Sequence, residues 1–316
     1  MKGRALVTGG AGFIGSHVAD HYLREGYQVT VVDDLSSGRV ENIPQAAEFV
    51  QADIGSEAAR SLLAQTRFDI LNHHAAQMDV RVSVEDPAFD ARTNILGLIN
   101  LLEGARAGGT RRVVFASSGG VVYGESDDLP HSEDARKLPV SPYGVSKLTS
   151  EFYLAAYAQL YGLECVSLRY ANVYGPRQNP HGEAGVVAIF CSRIKAGEQI
   201  TIFGEGEQTR DYVNVLDVAR ANMAATHWSV PSVDTIDSVA FNVGTETETS
   251  VNTLAQTLVD ATGIQVPIEH AEARAGELQR SSVAIARAAR EWDWKPQTQL
   301  KDGLKQTYEW ISENTA

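Results

Sequence analysis

Seven residues near the N-terminus, Gly9-Gly10-Ala11-Gly12-Phe13-Ile14-Gly15, restrict what this chain can fold into more than any other feature. The apolar run 5–8 reads as a strand leading into them, and 13–25 reads as a helix leading out. Gly9, Gly12 and Gly15 have the spacing GxxGxxG. Glycines there permit a tight turn and close backbone approach, so a pyrophosphate can rest on the free N–H groups of a helix N-terminus. A second β-branched run, 28–33, follows in register and ends in Asp33-Asp34. A carboxylate about 20 residues beyond the glycines suits a ribose 2′-hydroxyl and repels a 2′-phosphate. The unit therefore reads as a dinucleotide site that prefers NAD to NADP.

The alternation continues. Runs 47–53, 68–73 and 111–117 read as strands, with helices at 57–65 and 87–107 between them. These strands are nearly all apolar, as strands of a parallel sheet covered on both faces must be. The expected fold class is α/β, a doubly wound parallel sheet of Rossmann type. A helix at 142–161 and a strand at 163–170 follow. Beyond them Gly, Pro and Asn loosen the pattern. A strand is expected at 199–203 and helices at 186–196, 214–226, 251–262, 282–291 and 301–313. The expected organisation is a dinucleotide-binding domain over 1–170, rejoined by segments near 211–246, and a smaller mixed α/β domain over most of 171–316.

A net charge of −13 with no Lys/Arg cluster argues against a nucleic-acid partner. An anionic small ligand would need cations placed locally within an acidic surface. No apolar run approaches the roughly 18 residues of a membrane helix, and the N-terminal stretch is too short for a signal-peptide core. Cys165 and Cys191 stand in apolar surroundings without metal or redox spacing, which points to inert thiols in the reducing cytoplasm.

Ser141-Pro142-Tyr143-Gly144-Val145-Ser146-Lys147 opens the helix at 142–161. A four-residue separation puts Tyr143 and Lys147 on one helical face, about 5–6 Å apart at Cβ. A free phenol, with a pKa of roughly 10, is barely ionised at neutral pH; a nearby ammonium favours the phenolate. With a cationic cofactor ring also close, Tyr143 is suited to general-base work. An incidental pair on a surface helix is the other reading. Against it stands the order along the chain: dinucleotide motif, fifth strand ending in Ser117-Ser118, then the pair.

On segments 8–16, 33–38, 74–87, 115–124, 141–147, 168–177, 201–213 and 274–277 the sequence resembles the extended short-chain dehydrogenase/reductase family, most of all its UDP-glucose 4-epimerases. The resemblance implies reversible C4 epimerisation of a UDP-hexose (glucose or galactose, N-acetylated forms included) through a transient 4-keto sugar on tightly held NAD. Tyr143 would take the proton of the sugar 4-hydroxyl, and Lys147 would hold the nicotinamide ribose and tune Tyr143. The expected cofactor contacts are Gly9, Gly12, Phe13, Ile14, Gly15, Asp33, Asp34, Ser37, Gly38, Ala75, Ala76, Gln77, Asn94, Tyr143, Lys147 and Tyr170. Asp53 and Ile54 join them as flanks of the adenine, with a plain strand-end Asp as the alternative.

The resemblance also places the substrate. Asn172 corresponds to a nucleotide-diphosphate contact, and Arg210 and Arg274 to arginines that fork onto phosphate oxygens. Val186, Val187, Ile202 and Phe203 would sandwich the uracil, or are simple core, and Glu277 would reach the uridine ribose. One departure stands out: Gly119 occupies the place of the usual catalytic Ser or Thr, in a Ser117-Ser118-Gly119-Gly120 stretch like that of a variant subgroup. Ser118, or else Ser117, is expected to supply the hydroxyl, unless Tyr143 works without a relay. Gly120 and Val121 stand where 4,6-dehydratases carry an Asp-Glu pair, which argues against elimination chemistry. Ser281, where enzymes restricted to glucose and galactose often carry a bulky Tyr, suggests room for N-acetylhexosamines. Two alternatives remain: a UDP-glucuronate 4-epimerase, with Arg81 as the candidate carboxylate clamp, and an NAD-dependent nucleotide-sugar reductase. The helices at 87–107 and 142–161 match those that pair in family dimers, so a homodimer is expected.

Overall fold

A computed structural model describes residues 2–180, 185–273 and 278–314. The first half runs β1 (Arg4–Thr8), α1 (Phe13–Arg24), β2 (Gln28–Asp33), β3 (Glu48–Gln51), α2 (Glu57–Gln65), β4 (Ile70–His73), α3 (Val80–Glu85), α4 (Pro87–Ala91), a π-helical turn at Arg92–Leu96, α5 (Gly97–Gly108), β5 (Arg112–Ser118), α6 (Gly119–Val122), α7 (Pro142–Tyr161) and β6 (Glu164–Tyr170). Then come β7 (Asn172–Tyr174), α8 (Val186–Ala196), β8 (Ile200–Phe203), β9 (Thr209–Arg210), β10 (Tyr212–Asn214), α9 (Val215–His227), β11 (Ala240–Val243), β12 (Thr249–Ser250), α10 (Val251–Thr262), β13 (Ile268–Ala271), α11 (Ala286–Trp292) and α12 (Leu300–Asn314).

Seven strands form one sheet in the order β11-β6-β5-β4-β1-β2-β3, every neighbour pair parallel. Parallel neighbours need crossovers, and helices cover both faces. Leu63, Leu98, Leu101 and Leu102 from α2 and α5 pack with Leu71 and Phe115 on one side. Val18, Ala19 and Tyr22 of α1 pack with Val29, Val31 and Met223 on the other. The doubly wound α/β class is the observed one. The strand order reverses between β1 and β4, and a crevice outside the carboxyl ends at such a switch point is where ligands of open α/β sheets bind.

A separate core lies beyond β6. Val187, Ala188, Phe190, Cys191 and Ile194 of α8 interdigitate with Leu254 and Leu258 of α10, Leu304 and Ile311 of α12, and Ile200 and Ile202 of β8. This lobe carries its own two-stranded pairings, β10 with β7, β12 with β9 and β13 with β8.

The expected element at 87–107 is interrupted: the π turn swells the helix where the Asn94 side chain reaches inward to both backbone groups of Gln77. Of 282–291 only the second half is helical, because Val283 is drawn into a small core with Val122 and Tyr123 and bridges to His131. The expected strand 47–53 ends at Gln51, since Asp53 turns the chain by accepting from the Gly55 N–H at 2.6 Å and Ser56 then caps α2. β11, a buried Ala-Phe-Asn-Val, is the sheet's seventh strand.

Candidate active site

The glycine turn sits at the switch point and is shaped by contact rather than by sequence preference alone. Gly9 has φ of +67°, and a Cβ on it would lie 2.6 Å from the Ala75 nitrogen, so the loops after β1 and β4 touch backbone to backbone. A Cβ on Gly15 would lie 2.2 Å from the Gly9 carbonyl oxygen. α1 starts at Gly12 with no side-chain cap, leaving its first N–H groups unclaimed by side chains. That is the arrangement a pyrophosphate needs.

Asp33 ends β2 buried beneath this turn. Its carboxylate accepts from the N–H of Ala11 at 3.0 Å and of Leu35 at 2.9 Å, and burial raises its pKa against those bonds. Gly38 must stay small, because a Cβ there would fall 2.7 Å from Asp33 Oδ1. Ser37 lines a narrow recess with Gly12 and Phe13. The small residues, the open helix end and the carboxylate fit the adenosine half of NAD. Asp34 is exposed and bonded to Ser36. The Ile54 side chain belongs to the sheet core, packed where Gly97 lacks a Cβ. Asp53 serves its own turn, and neither lines the cleft described next.

A cleft of about 430 Å³ opens between the carboxyl ends of the sheet and the second lobe. Phe13, Ile14, Ser117, Ser118, Tyr143 and Tyr170 line the sheet side. Asn172, Val186, Ile202, Phe203 and Arg210 line the opposite side. For Val187 the core reading holds: helical geometry turns it away from its neighbour Val186, and it is buried in the second lobe. Gly119 is not among the lining residues and packs against Val283. Arg274 and Glu277 lie outside the described residues.

Ser141 caps α7 by accepting from the Gly144 N–H at 3.2 Å, and Pro142 takes the first helical position, so the helix begins immediately before Tyr143. One turn on, Lys147 is 4% exposed, with Nζ 5.7 Å from the Tyr143 ring centroid and 4.9 Å from that of Phe115. It donates to the Ala116 carbonyl at 2.8 Å. Burial drives its pKa down to about 8, opposed by the charges of Asp90 and Glu151. His74 is half-buried and stacks on Tyr170 with ring centroids 6.2 Å apart; desolvation and the Lys147 charge hold its pKa at about 3, so it stays neutral.

The two serines differ. Ser117 Oγ donates at 2.5 Å to the buried carboxylate of Glu151, which also binds Arg169. Ser118 makes no capping bond for α6 and faces the cleft. Gln77 and Asn94 bond to one another and to Asp90, and neither lines the cleft. Ser281 is buried and is likewise absent from the lining. Arg81 is exposed and paired with Asp79, which leaves no carboxylate clamp there. Sequence reasoning missed Met78, Gln178, Ile189, Gln208 and Tyr212 in the cleft wall. The helical period of 186–196 foretells Ile189 once Val186 is placed there, whereas the others sit on loops or a short strand with no periodic signal.

The model of the NAD dependent epimerase/dehydratase family matches residues 5–244. A UDP-glucose 4-epimerase of Mycolicibacterium smegmatis is 45% identical over 313 residues, covering 98% of each chain. The crystal structure of a UDP-glucose 4-epimerase from Thermotoga maritima with UDP-glucose superposes with a TM-score of 0.94 at 43% identity, covering 99% of this chain and 100% of the other. That of the Thermus thermophilus enzyme with NAD gives 0.91 at 39%, again over 99% and 100%.

Proposed function

The chain belongs to the NAD dependent epimerase/dehydratase family, and from that premise we propose that it interconverts UDP-glucose and UDP-galactose by epimerisation at C4. It is an NAD-dependent isomerase. The glycine turn would hold NAD, which when bound would supply reversible hydride acceptance at C4 with no net redox change. The observation that carries the residue roles is the position of Tyr143 in the cleft wall with the buried Lys147 ammonium one turn behind it.

Tyr143 takes the proton of the 4-hydroxyl and returns it after the keto sugar has turned over in the cleft. The Lys147 charge favours the phenolate, since each unit of pKa depression corresponds to about 1.36 kcal/mol. Ser118, in the same cleft wall as Tyr143, serves as the hydroxyl partner. Across the cleft, Arg210 forks onto a phosphate oxygen, Asn172 binds the diphosphate, and Val186, Ile202 and Phe203 hold the uracil between apolar walls. Purified protein given UDP-glucose without added oxidant or reductant should produce UDP-galactose by NMR. Tyr143→Phe should abolish product while leaving NAD bound. UDP-N-acetylglucosamine and UDP-glucuronate as parallel substrates define the sugar range, and turnover of the glucuronate alone would overturn the hexose assignment.

A homodimer fits the apolar side chains left exposed on α3–α5 and α7, among them Val84, Phe89, Leu96, Phe152 and Leu160. Sedimentation reads that mass directly, and a monomer at micromolar concentration refutes it. The two buried free thiols suit a reducing cytoplasm, which cell fractionation tests.

A further inference from the structure

We infer that Asp90 is a positioning residue for the catalytic pair: its buried carboxylate ties α7 at Ser146, the residue before Lys147, to Gln77 in the loop after β4. This rests on Tyr143 and Lys147 acting as proposed above. Asp90 lies on α4 and is fully buried. A carboxylate so placed is costly unless hydrogen-bonded or paired. Asp90 has three donors from three segments. Ser146 Oγ binds Oδ2, while Gln77 Nε2 and Asn94 Nδ2 each bind Oδ1 at 3.0 Å. All three donors are neutral, and the Asp90 carboxylate opposes the lowering of the Lys147 pKa by burial.

The network is closed on itself. Asn94 spends its amide on Gln77, accepting from the N–H at 2.9 Å and donating to the carbonyl at 2.8 Å, and Gln77 Nε2 also reaches the Asp79 carbonyl at 3.0 Å. Gln77 follows Ala75, which meets the glycine turn, and Ser146 precedes Lys147. One carboxylate therefore fixes the distance between the cofactor loop and the catalytic helix. Lys147 is faced by Tyr143 and Glu151 on α7, Asp90 on α4, His73 on β4 and His74 just after it. Burial keeps both histidines neutral, so Asp90 and Glu151 are the anions that hold its proton.

Asp90→Asn keeps the shape. Its oxygen can still accept from Gln77 and Asn94, and its nitrogen can donate to Ser146 Oγ. Only the charge is lost. The alkaline limb of kcat should then move to lower pH by about one unit, because Lys147 releases its proton more readily without that anion. In the holoenzyme, the tyrosinate difference spectrum, with Tyr143→Phe as blank, should move the other way, since a lost ammonium raises the phenol pKa. Ser146→Ala removes a donor and no charge; kcat should fall several-fold with the alkaline limb in place.

A wild-type alkaline limb and tyrosinate titration in Asp90→Asn would reduce Asp90 to a folding role. If that variant does not fold, Ser146→Ala decides: full turnover there ends the clamp. Retained turnover in Tyr143→Phe would instead remove the catalytic pair on which the inference stands, and so separates the two failures.

Discussion

Glu151→Gln cuts the most buried ion pair among the described residues and should lower stability and turnover together. Arg169 and Glu151 have side chains 0% and 1% exposed, with Nη2 to Oε2 at 2.6 Å and Nε to the two carboxylate oxygens at 3.1 and 3.2 Å. Breaking such a pair by neutralising one member costs about 3–5 kcal/mol, because the other charge stays buried. Arg169 keeps Asp237 at 2.7 Å and the Glu133 carbonyl at 2.9 Å, which puts the expected loss near the lower figure, about 3 kcal/mol. An unfolding entropy of roughly 2.1 cal/mol/K per residue gives about 0.66 kcal/mol/K for 316 residues, so Tm should fall by about 4–5 °C. Far-ultraviolet circular dichroism melts of the NAD-loaded protein measure this, with urea midpoints as an independent check. The Arg169→Gln variant and the double variant complete a cycle in which the double change should cost less than the two singles combined. A Tm within 1 °C of wild type, or strict additivity, refutes the claim that this pair is held as a unit.

Three further outcomes follow from the same geometry. Lys147→Met should abolish turnover yet raise stability at pH 7, by at most about 3 kcal/mol, because it removes a buried ammonium whose pKa has fallen from 10.5 to about 8. The sign is checkable in wild type: between those two values the unfolded chain keeps a proton that the native state has lost, so stability from this group rises with pH through that window. A Lys147→Met protein that melts below wild type at pH 7 contradicts it. Gly15→Ala, with its new Cβ 2.2 Å from the Gly9 oxygen, should cost about 1–3 kcal/mol and empty the protein of copurified NAD, read from the absorbance of the acid extract. Ser118→Ala should slow epimerisation at least about tenfold as a lost proton-relay hydroxyl, whereas Ser117→Ala should mainly lower Tm by leaving Glu151 one donor short; equal effects on rate would erase the distinction between them.

Legibility in the sequence followed the range of the forces involved. The β1-turn-α1 unit was readable because a parallel strand, a glycine turn and an amphipathic helix each leave a local pattern, and Tyr143 with Lys147 because 3.6 residues per turn is a local rule. Ile54 and Val187 could not be assigned from the sequence for the opposite reason. An apolar side chain looks the same beside a nucleotide as beneath a helix, and only the fold shows that Ile54 fills the space Gly97 leaves. β11 was missed as a strand because four residues, one of them Asn242, carry no period. The Asp90 network joins residues 77, 90, 94 and 146 across three elements, a distance in sequence that no motif spans.

Net charge shows the same gap between a whole-chain property and a local one. At −13 the molecule repels anions on average. The described cleft lining nevertheless contains no carboxylate, and Arg210 is its one charged side chain. A nucleoside diphosphate entering it leaves high dielectric for an apolar pocket, where a single guanidinium acts more strongly than it would at the surface. Asp90 and Glu151, the acids that act on Lys147, are instead buried outside the lining, satisfied by Ser146, Gln77, Asn94, Ser117 and Arg169. They act on Lys147 without facing the substrate. An acidic protein can therefore hold an anionic ligand and still use carboxylates to keep its catalytic ammonium charged, provided those carboxylates stay out of the cleft wall.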